Sequence, residues 1–254
     1  MASWLGRFSN RLLFAHGLRR WRRMVAQAPG LDLASLRAQR GQARELRRQL
    51  DRLIHLADGR LLATGAQAAL PLHTEWDWRP EICSGPLAVP GLSGVQNKAV
   101  LGQELRIFHD CPLGEINLRQ IRNNRDQGPS PFGLQAEVFG FDGSFLSLVI
   151  DLPDSAVAGL TRRHLVQFAA TVECERPMTI FARLNIRHGP NTEQITRELD
   201  PGLCDIAVDF DLAYSRLNEK RVERMWLDLI LDDPRMNRIT LRDVTLSRRP
   251  RAEL

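Results

Sequence analysis

From residue 99 onward, apolar side chains recur at every second position, the period of a strand with one face buried. Residues 178–187 show it best: Ile180, Ala182, Leu184 and Ile186 share one face, and Phe181, Arg183, Asn185 and Arg187 the other. Residues 205–214 repeat it, with Ile206, Val208, Phe210 and Leu212 inward and Asp209 and Asp211 outward. Burial on one side belongs to antiparallel sheets. The pattern predicts strands over 99–108, 115–122, 134–141, 144–152, 165–173, 178–187, 205–214, 225–231 and 238–247. Phe141-Asp142-Gly143-Ser144 predicts a hairpin turn through its Asp-Gly pair. No long helical stretch separates the strands, which disfavours a parallel α/β sheet; residues 153–160 have room for one helical turn with Asp154 as its N-cap. The predicted fold is mostly β: an antiparallel, jelly-roll-like β-sandwich. Ile180, Leu184, Val208, Phe210, Leu227 and Leu229 are expected in its shared core.

Before residue 64 the period changes. Trp4, Leu5, Phe8, Leu12 and Ala15 fall within one ~100° arc of a helix, while Leu13 and Phe14 lie off it. Arg7, Arg11, Arg19, Arg20, Arg22 and Arg23 precede the first acid, Asp32. Residues 33–58 predict a second helix, with Leu36, Ala43, Leu46, Leu50, Leu53 and Ala57 in steps of three and four and Asp58-Gly59 as its stop. That seam suits either a helix docked on the sandwich or a modest dimer contact. Residues 64–98, rich in Pro and Gly, predict a connector. Its Trp76-Asp77-Trp78-Arg79-Pro80 offers two tryptophans, either to cap a core edge or to present flat faces to a sugar or a partner. The chain thus divides into a basic helical segment (1–63), a connector (64–98) and a β-sandwich domain (99–254).

Charge sharpens this division. Residues 1–63 hold 13 Arg and four acids, a net +9, and the remaining 191 residues hold 22 Lys/Arg and 26 Asp/Glu, a net −4. A uniformly basic nucleic-acid-binding domain has a different distribution, and no base-reading motif is present, so nucleic acid is not the expected partner. The basic segment has three readings: an interfacial helix on an anionic membrane, an organelle transit peptide, or a helix packed on the sandwich with its arginines in water. On the first, residues 1–25 meet the surface through Trp4, Arg7, Phe8, Arg11, Arg19, Arg20 and Trp21, and the protein is cytoplasmic, peripheral to the inner membrane. The apolar run 12–15 is too short for a secretory signal, and no A-x-A site follows. Without an export signal, Cys83, Cys111, Cys174 and Cys204 are expected as free, mostly buried thiols.

Few residues advertise chemistry. Neither usual phosphate-loop spacing occurs, nor H-E-x-x-H, nor G-x-S-x-G, and no Cys pair has C-x-x-C spacing, so no metal site and no cofactor are expected. In His109-Asp110-Cys111, His109 and Cys111 share a strand face; the triplet is read either as a Cys–His nucleophile pair or as a strand end with a buried Cys and a cap before Pro112. Asp209 with Asp211, and Asp228 with Asp232, place carboxylates on what read as neighbouring strands. Arg183, Arg187 and Lys220 stand ready to pair with them. Such carboxylates serve cross-strand ion pairs, a polar groove, or a glycosidase dyad. Arg187-His188-Gly189-Pro190-Asn191 and Asn218-Glu219-Lys220-Arg221 predict polar turns at the sandwich rim.

Phe108-His109-Asp110-Cys111-Pro112, Gly143-Ser144-Phe145-Leu146-Ser147-Leu148, Ala182-Arg183-Leu184-Asn185 through Asn191, and Asn218-Glu219-Lys220-Arg221 resemble an uncharacterised alphaproteobacterial family of unknown function, over roughly residues 70–254. More loosely, the closing strand Arg238-Ile239-Thr240-Leu241-Arg242-Asp243-Val244-Thr245-Leu246 resembles that of carbohydrate-binding, galactose-binding-like jelly rolls. That likeness implies recognition of a sugar or a partner on a sheet face or rim loops. No single strand carries a row of Trp or Tyr, and the only Tyr is Tyr214. The expected function is a non-enzymatic binding or scaffolding module for a glycan or protein partner. The ligand contacts are placed at Arg183, Asn185, Arg187, His188, Asn191, Asp209, Asp211 and Tyr214. The alternative is a carbohydrate-active enzyme using the paired carboxylates.

Overall fold

The computed structural model describes residues 4–62, 70–124, 130–200 and 204–251, with the side chains of 4–12, 52, 55–56 and 58–62 outside the described set. Two helices open the chain. Helix α1 spans Trp4–Gln27 and α2 spans Leu33–Leu62. The Asp32 carboxylate starts α2 by accepting from the backbone N–H of Ala34 and Ser35, both at 2.9 Å. Asp58-Gly59 does not stop α2, which runs on through Leu62; a single glycine weakens a helix without ending it. No helix among the described residues is long and apolar enough to cross a membrane.

Thirteen strands follow among the described residues. They are β1 (Trp76–Trp78), β2 (Gly91–Ser93), β3 (Val100–Leu101), β4 (Leu105–His109), β5 (Ile116–Arg122), β6 (Phe132–Val138), β7 (Leu146–Asp151), β8 (His164–Cys174), β9 (Ile180–His188), β10 (Asn191–Leu199), β11 (Asp205–Asp211), β12 (Val222–Leu231) and β13 (Asn237–Pro250), with a one-turn helix α3 (Glu81–Ser84) after β1. One sheet runs β11-β8-β13-β6-β5-β2, with β1 also paired to β13; the other runs β10-β9-β12-β7-β4-β3. Every pairing is antiparallel. The alternating positions do what their period dictates. Ile180, Leu184, Phe210, Leu227 and Leu229 are buried in one core between the sheets, with Val208 packed against it. The protein is a mostly-β antiparallel sandwich, as expected.

Several local expectations fail for physical reasons. Phe141–Ser144 is not a hairpin, because β6 and β7 lie in different sheets. The segment crosses between them instead, and the Asp110 carboxylate pins it by accepting from the Ser144 N–H (2.7 Å), the Ser144 hydroxyl (2.6 Å) and the Phe145 N–H (3.3 Å). Those bonds hold the Asp110 carboxyl below its ordinary range. A Cβ on Gly143 would lie 2.5 Å from Asp110 Oδ1, so glycine is needed for this close approach. Pro153, not Asp154, stands at the cap position of the turn Asp154–Ala156. The predicted strand 99–108 is two short strands, β3 and β4, paired with each other. Residues 205–214 leave strand at Asp211, where the carboxylate accepts from Ala213 N–H at 2.9 Å.

Of residues 64–98, the described part, 70–98, contributes directly to the sandwich. β1 pairs with β13, β2 pairs with β5, and Trp76 and Trp78 pack on the core edge. α3 bridges the sheets. Gln120 of β5 donates to Ile82 O (2.9 Å) and Gly85 O (2.7 Å), and Glu104, beside β4, accepts from Glu81 N–H at 2.6 Å. Ile82 and Cys83 are thereby buried in the core, and burial pushes the Cys83 thiol well above its usual range. Cys111 is also buried, Cys174 half-buried and Cys204 exposed.

Candidate functional site

The outer face of the six-stranded sheet is set by parity. On β12, Met225, Leu227, Leu229 and Leu231 turn into the core, so Arg224, Trp226, Asp228 and Ile230 turn outward. Register then brings matching outward residues beside them. Asp228 lies between Val149 of β7 and Arg183 of β9, and Ile230 lies between Ser147 and Phe181. On β4, Arg106 stands opposite Val149, and Phe108 opposite Ser147. Arg106, Phe108, Phe145, Ser147, Arg183, Trp226 and their neighbours line a groove of about 560 Å³ across β4, β7, β12 and β9.

Its apolar surface comes from Trp226, Phe108, Phe145, Val149 and Ile230, one or two per strand. Its polar side chains are ordered by ion pairs. Arg183 donates through Nε (3.0 Å) and Nη2 (2.6 Å) to Oδ2 of the buried Asp228. Arg106 and Arg224 each bond a different oxygen of Asp151. The Arg224 guanidinium also lies 5.3 Å from the Trp226 ring centroid, within cation–π range. The Ser147 hydroxyl is buried and has no hydrogen-bond partner among the described residues.

The residues expected at the site divide into two groups. Arg183 is in the groove. Asn185, on the same face, is buried; it donates to Arg183 O and accepts from Gln194 Nε2, each at 3.0 Å. Arg187, next on that face, pairs with Glu223 at 3.3 Å. His188 turns inward and is buried, and Asn191 is exposed at the start of β10. Between them Gly189 adopts a φ of 61°, so Gly189-Pro190 makes a tight hairpin with glycine at its first central position. Asp209, Asp211 and Tyr214 belong to the other sheet and its exit turn. Asp209 accepts from Gln167 (3.0 Å) and Arg249 (2.7 Å), Asp211 pairs with Arg251 at 3.3 Å, and the same Arg251 lies 5.3 Å from the ring of the exposed Tyr214. β11 and β12 are therefore not neighbours, so the pair Asp209/Asp211 does not face the pair Asp228/Asp232; Asp209, Asp211 and Asp228 are each bonded to an arginine, and Asp232 lies past the end of β12.

His109 and Cys111 take the strand-end arrangement. His109 Nε2 bonds Val95 O at 3.0 Å, and the Cys111 thiol donates to Asp142 at 3.0 Å. Of the surface residues expected on α1, Arg19 and Arg20 are exposed and Trp21 half-buried, while the side chains of Trp4, Arg7, Phe8 and Arg11 lie outside the described residues. Among the described residues no group of three His, Cys, Asp or Glu side chains gathers around a metal-sized space.

Sequence reasoning missed Arg106, Phe108, Phe145, Ser147, Arg224 and Trp226. A signal for the last two was present: Trp226 has the outward parity in a strand whose inward positions are Met and Leu.

No curated protein matches the chain. Solved structures similar to it include a family 11 carbohydrate-binding module from Clostridium thermocellum in complex with a mixed-linked tetrasaccharide (10% identity, TM-score 0.39, 66% of this chain and 99% of that one). Another is the xylan-binding domain CBM22-1 of Paenibacillus barcinonensis Xyn10C (11%, 0.37, 64% and 94%). A third is the enzymatically active domain of bacteriophage CBA120 tailspike protein 4 (7%, 0.39), where the match spans 56% of this chain but only 19% of that one. The family match reaches beyond the sandwich, through both N-terminal helices: over residues 1–254 the chain fits the model of the Family of unknown function (DUF6478), and it belongs to that family.

Proposed function

We propose that the protein is a non-catalytic carbohydrate-binding module whose binding face is the groove on the six-stranded sheet. The observation that carries this reading is the combination within that groove: aromatic surfaces from Trp226, Phe108 and Phe145, ringed by Arg106, Arg183, Arg224 and Asp228. A sugar ring presents an apolar face and a hydroxylated edge. Aromatic rings bury the first, and fixed charged donors and acceptors bond the second. Catalysis fits less well. The carboxylates bonded to the groove's arginines, Asp228 and Asp151, are both clasped, whereas glycoside hydrolysis needs one carboxyl free to deliver a proton.

Affinity electrophoresis against a panel of neutral and acidic polysaccharides tests this. Trp226→Ala is expected to abolish retardation, a loss of about 2 kcal/mol or more for a central aromatic anchor. Asp209→Asn, on the other sheet, should leave it unchanged. Retardation by no polysaccharide, or equal binding by Trp226→Ala, would reject the groove.

A second reading concerns α1. Leu13, Phe14, Leu18 and Val25 are exposed there, alongside Arg19, Arg20, Arg22 and Arg23. Exposed apolar residues among arginines suit an anionic lipid surface, where each basic residue contributes about 1 kcal/mol. We infer that this helix holds the module at such a surface. Full-length protein should co-sediment with phosphatidylglycerol vesicles at low salt, release as ionic strength passes about 0.15 M, and ignore phosphatidylcholine. Failure to co-sediment at low salt would remove the membrane from the account.

A further inference from the structure

The groove's charges do not balance, and the imbalance specifies a class of ligand. Three guanidiniums line it: Arg106, Arg183 and Arg224. Arg183 is matched one to one, since its Nε and Nη2 both reach Asp228 Oδ2. Arg106 and Arg224 instead divide a single carboxylate, one taking Oδ2 of Asp151 and the other Oδ1. The next pair on this face, Arg187 with Glu223, is neutral in itself. Among these guanidiniums and the carboxylates that bond them, one positive charge is thus left over, on a part of the chain (residues 64–254) whose own net charge is −4. Glu104, a further acid beside Asp151, spends its carboxyl on the Glu81 N–H at 2.6 Å, and burial pushes that carboxyl upward, toward its neutral form. The side chains of Arg106 and Arg224 keep 38% and 49% of their surface exposed. A guanidinium has five N–H donors, so each retains donors that Asp151 does not use.

We propose that the ligand of this groove is an acidic polysaccharide, a chain of sugars bearing carboxylates, read by Arg106 and Arg224. The inference rests on the carbohydrate reading above and names the class of sugar. A ligand carboxylate arriving between these arginines completes the count at three guanidiniums and three carboxylates. It meets Arg224 already held beside Trp226 and tied to Asp151, so little side-chain ordering remains to be done. The sugar ring that carries it lies over the aromatic surface. On the floor, the buried Ser147 hydroxyl, without a partner among the described residues, stands between Phe108 and Ile230 and offers a hydrogen bond to a ring substituent. A neutral sugar leaves the surplus guanidinium charge uncompensated in a partly desolvated place, which costs free energy.

Polygalacturonate and its methyl ester differ only in that carboxylate. Titration of the full chain is expected to show the acid polymer binding about tenfold or more tighter than the ester, the size of effect a charge-assisted contact supplies. The preference should shrink as salt is raised. Arg106→Gln, which leaves Asp151 paired to Arg224, should erase most of the preference, because binding of the acid falls much further than binding of the ester, while the thermal midpoint holds. Ester bound as tightly as acid would overturn the acidic class and leave the carbohydrate groove standing. Displacement of the polymer by inorganic phosphate at equal charge concentration would overturn it too, by reducing the site to one for simple anions. No binding of any neutral or acidic polysaccharide would instead sink the carbohydrate reading itself.

Discussion

Phe210→Ala is expected to destabilise the sandwich by about 3–5 kcal/mol, the usual cost of deleting a fully buried aromatic ring. Phe210 is 0% exposed and stands opposite Val166. β11 is an edge strand, paired on one side only, to β8. Its hold on the sheet therefore rests on one ladder, on the bonds of Asp209 to Gln167 and Arg249, and on the side chains it sends inward, Ile206, Val208 and Phe210. Phe210 is the largest of these, so its removal both opens a cavity and weakens the strand's anchorage. Urea unfolding followed by tryptophan fluorescence should show the midpoint falling with the slope unchanged, as for a pure loss of stability. Tyr214→Ala, three residues past the strand at an exposed position, should stay within about 0.5 kcal/mol of the parent. A cost for Phe210→Ala as small as that of Tyr214→Ala would mean that β11 is not docked as described.

The same strand shows how far the chain alone can be read. Alternation places Ile206, Val208 and Phe210 inward because parity is a local property, and nine segments are legible as strand for that reason, one of them (99–108) holding both β3 and β4. What failed was longer in range. β10 escaped notice because an edge strand facing water needs few apolar residues; of Asn191–Leu199 only Leu199 is buried. β1 and β2 are three residues each, too short to show a period. The Asp-Gly turn at 142–143 was legible as a turn, but whether the chain then returns to the same sheet or crosses to the other depends on the partners of β6 and β7. The candidate site suffered most from this. Arg183, Asn185 and Arg187 were found because they share a strand. Phe108, Phe145 and Trp226 form one surface only once β4, β7 and β12 are known to be adjacent, and no row along a single strand announces them. The two arginines of the groove that share Asp151 come from β4 and β12, which flank β7, so their convergence is likewise a matter of sheet order.

Arg79→Ala is the other substitution with a large expected effect, and the reason again lies in a strand irregularity. Between Leu241 and Asp243 the register of β13 against β8 shifts by one residue. Before the bulge Ile239 and Leu241 face the core; after it Val244 and Leu246 do. A bulge of this kind re-aims side chains, and it turns Asp243 to the opposite face, where the residue is nevertheless only 6% exposed. The buried carboxylate is met by Arg79 Nε at 3.2 Å and by the Ser130 hydroxyl; Arg79 Nε also lies 3.0 Å from the Thr245 hydroxyl. Arg79 follows β1, so this cluster ties the connector to the longest strand of the sheet. Truncating it leaves a buried carboxylate without its cation, which costs about 3–5 kcal/mol. The β1–β13 pairing loses its clamp at the same time, so limited proteolysis should begin to cut within 70–98 under conditions where the parent is resistant. The paired change Arg79→Met with Asp243→Leu removes both charges and keeps the volume. It should recover most of the loss, because apolar replacement of a buried ion pair is often neutral or better. If Arg79→Ala costs less than about 1 kcal/mol, the value of a surface pair, Asp243 is hydrated in solution and the clamp between connector and sheet does not exist.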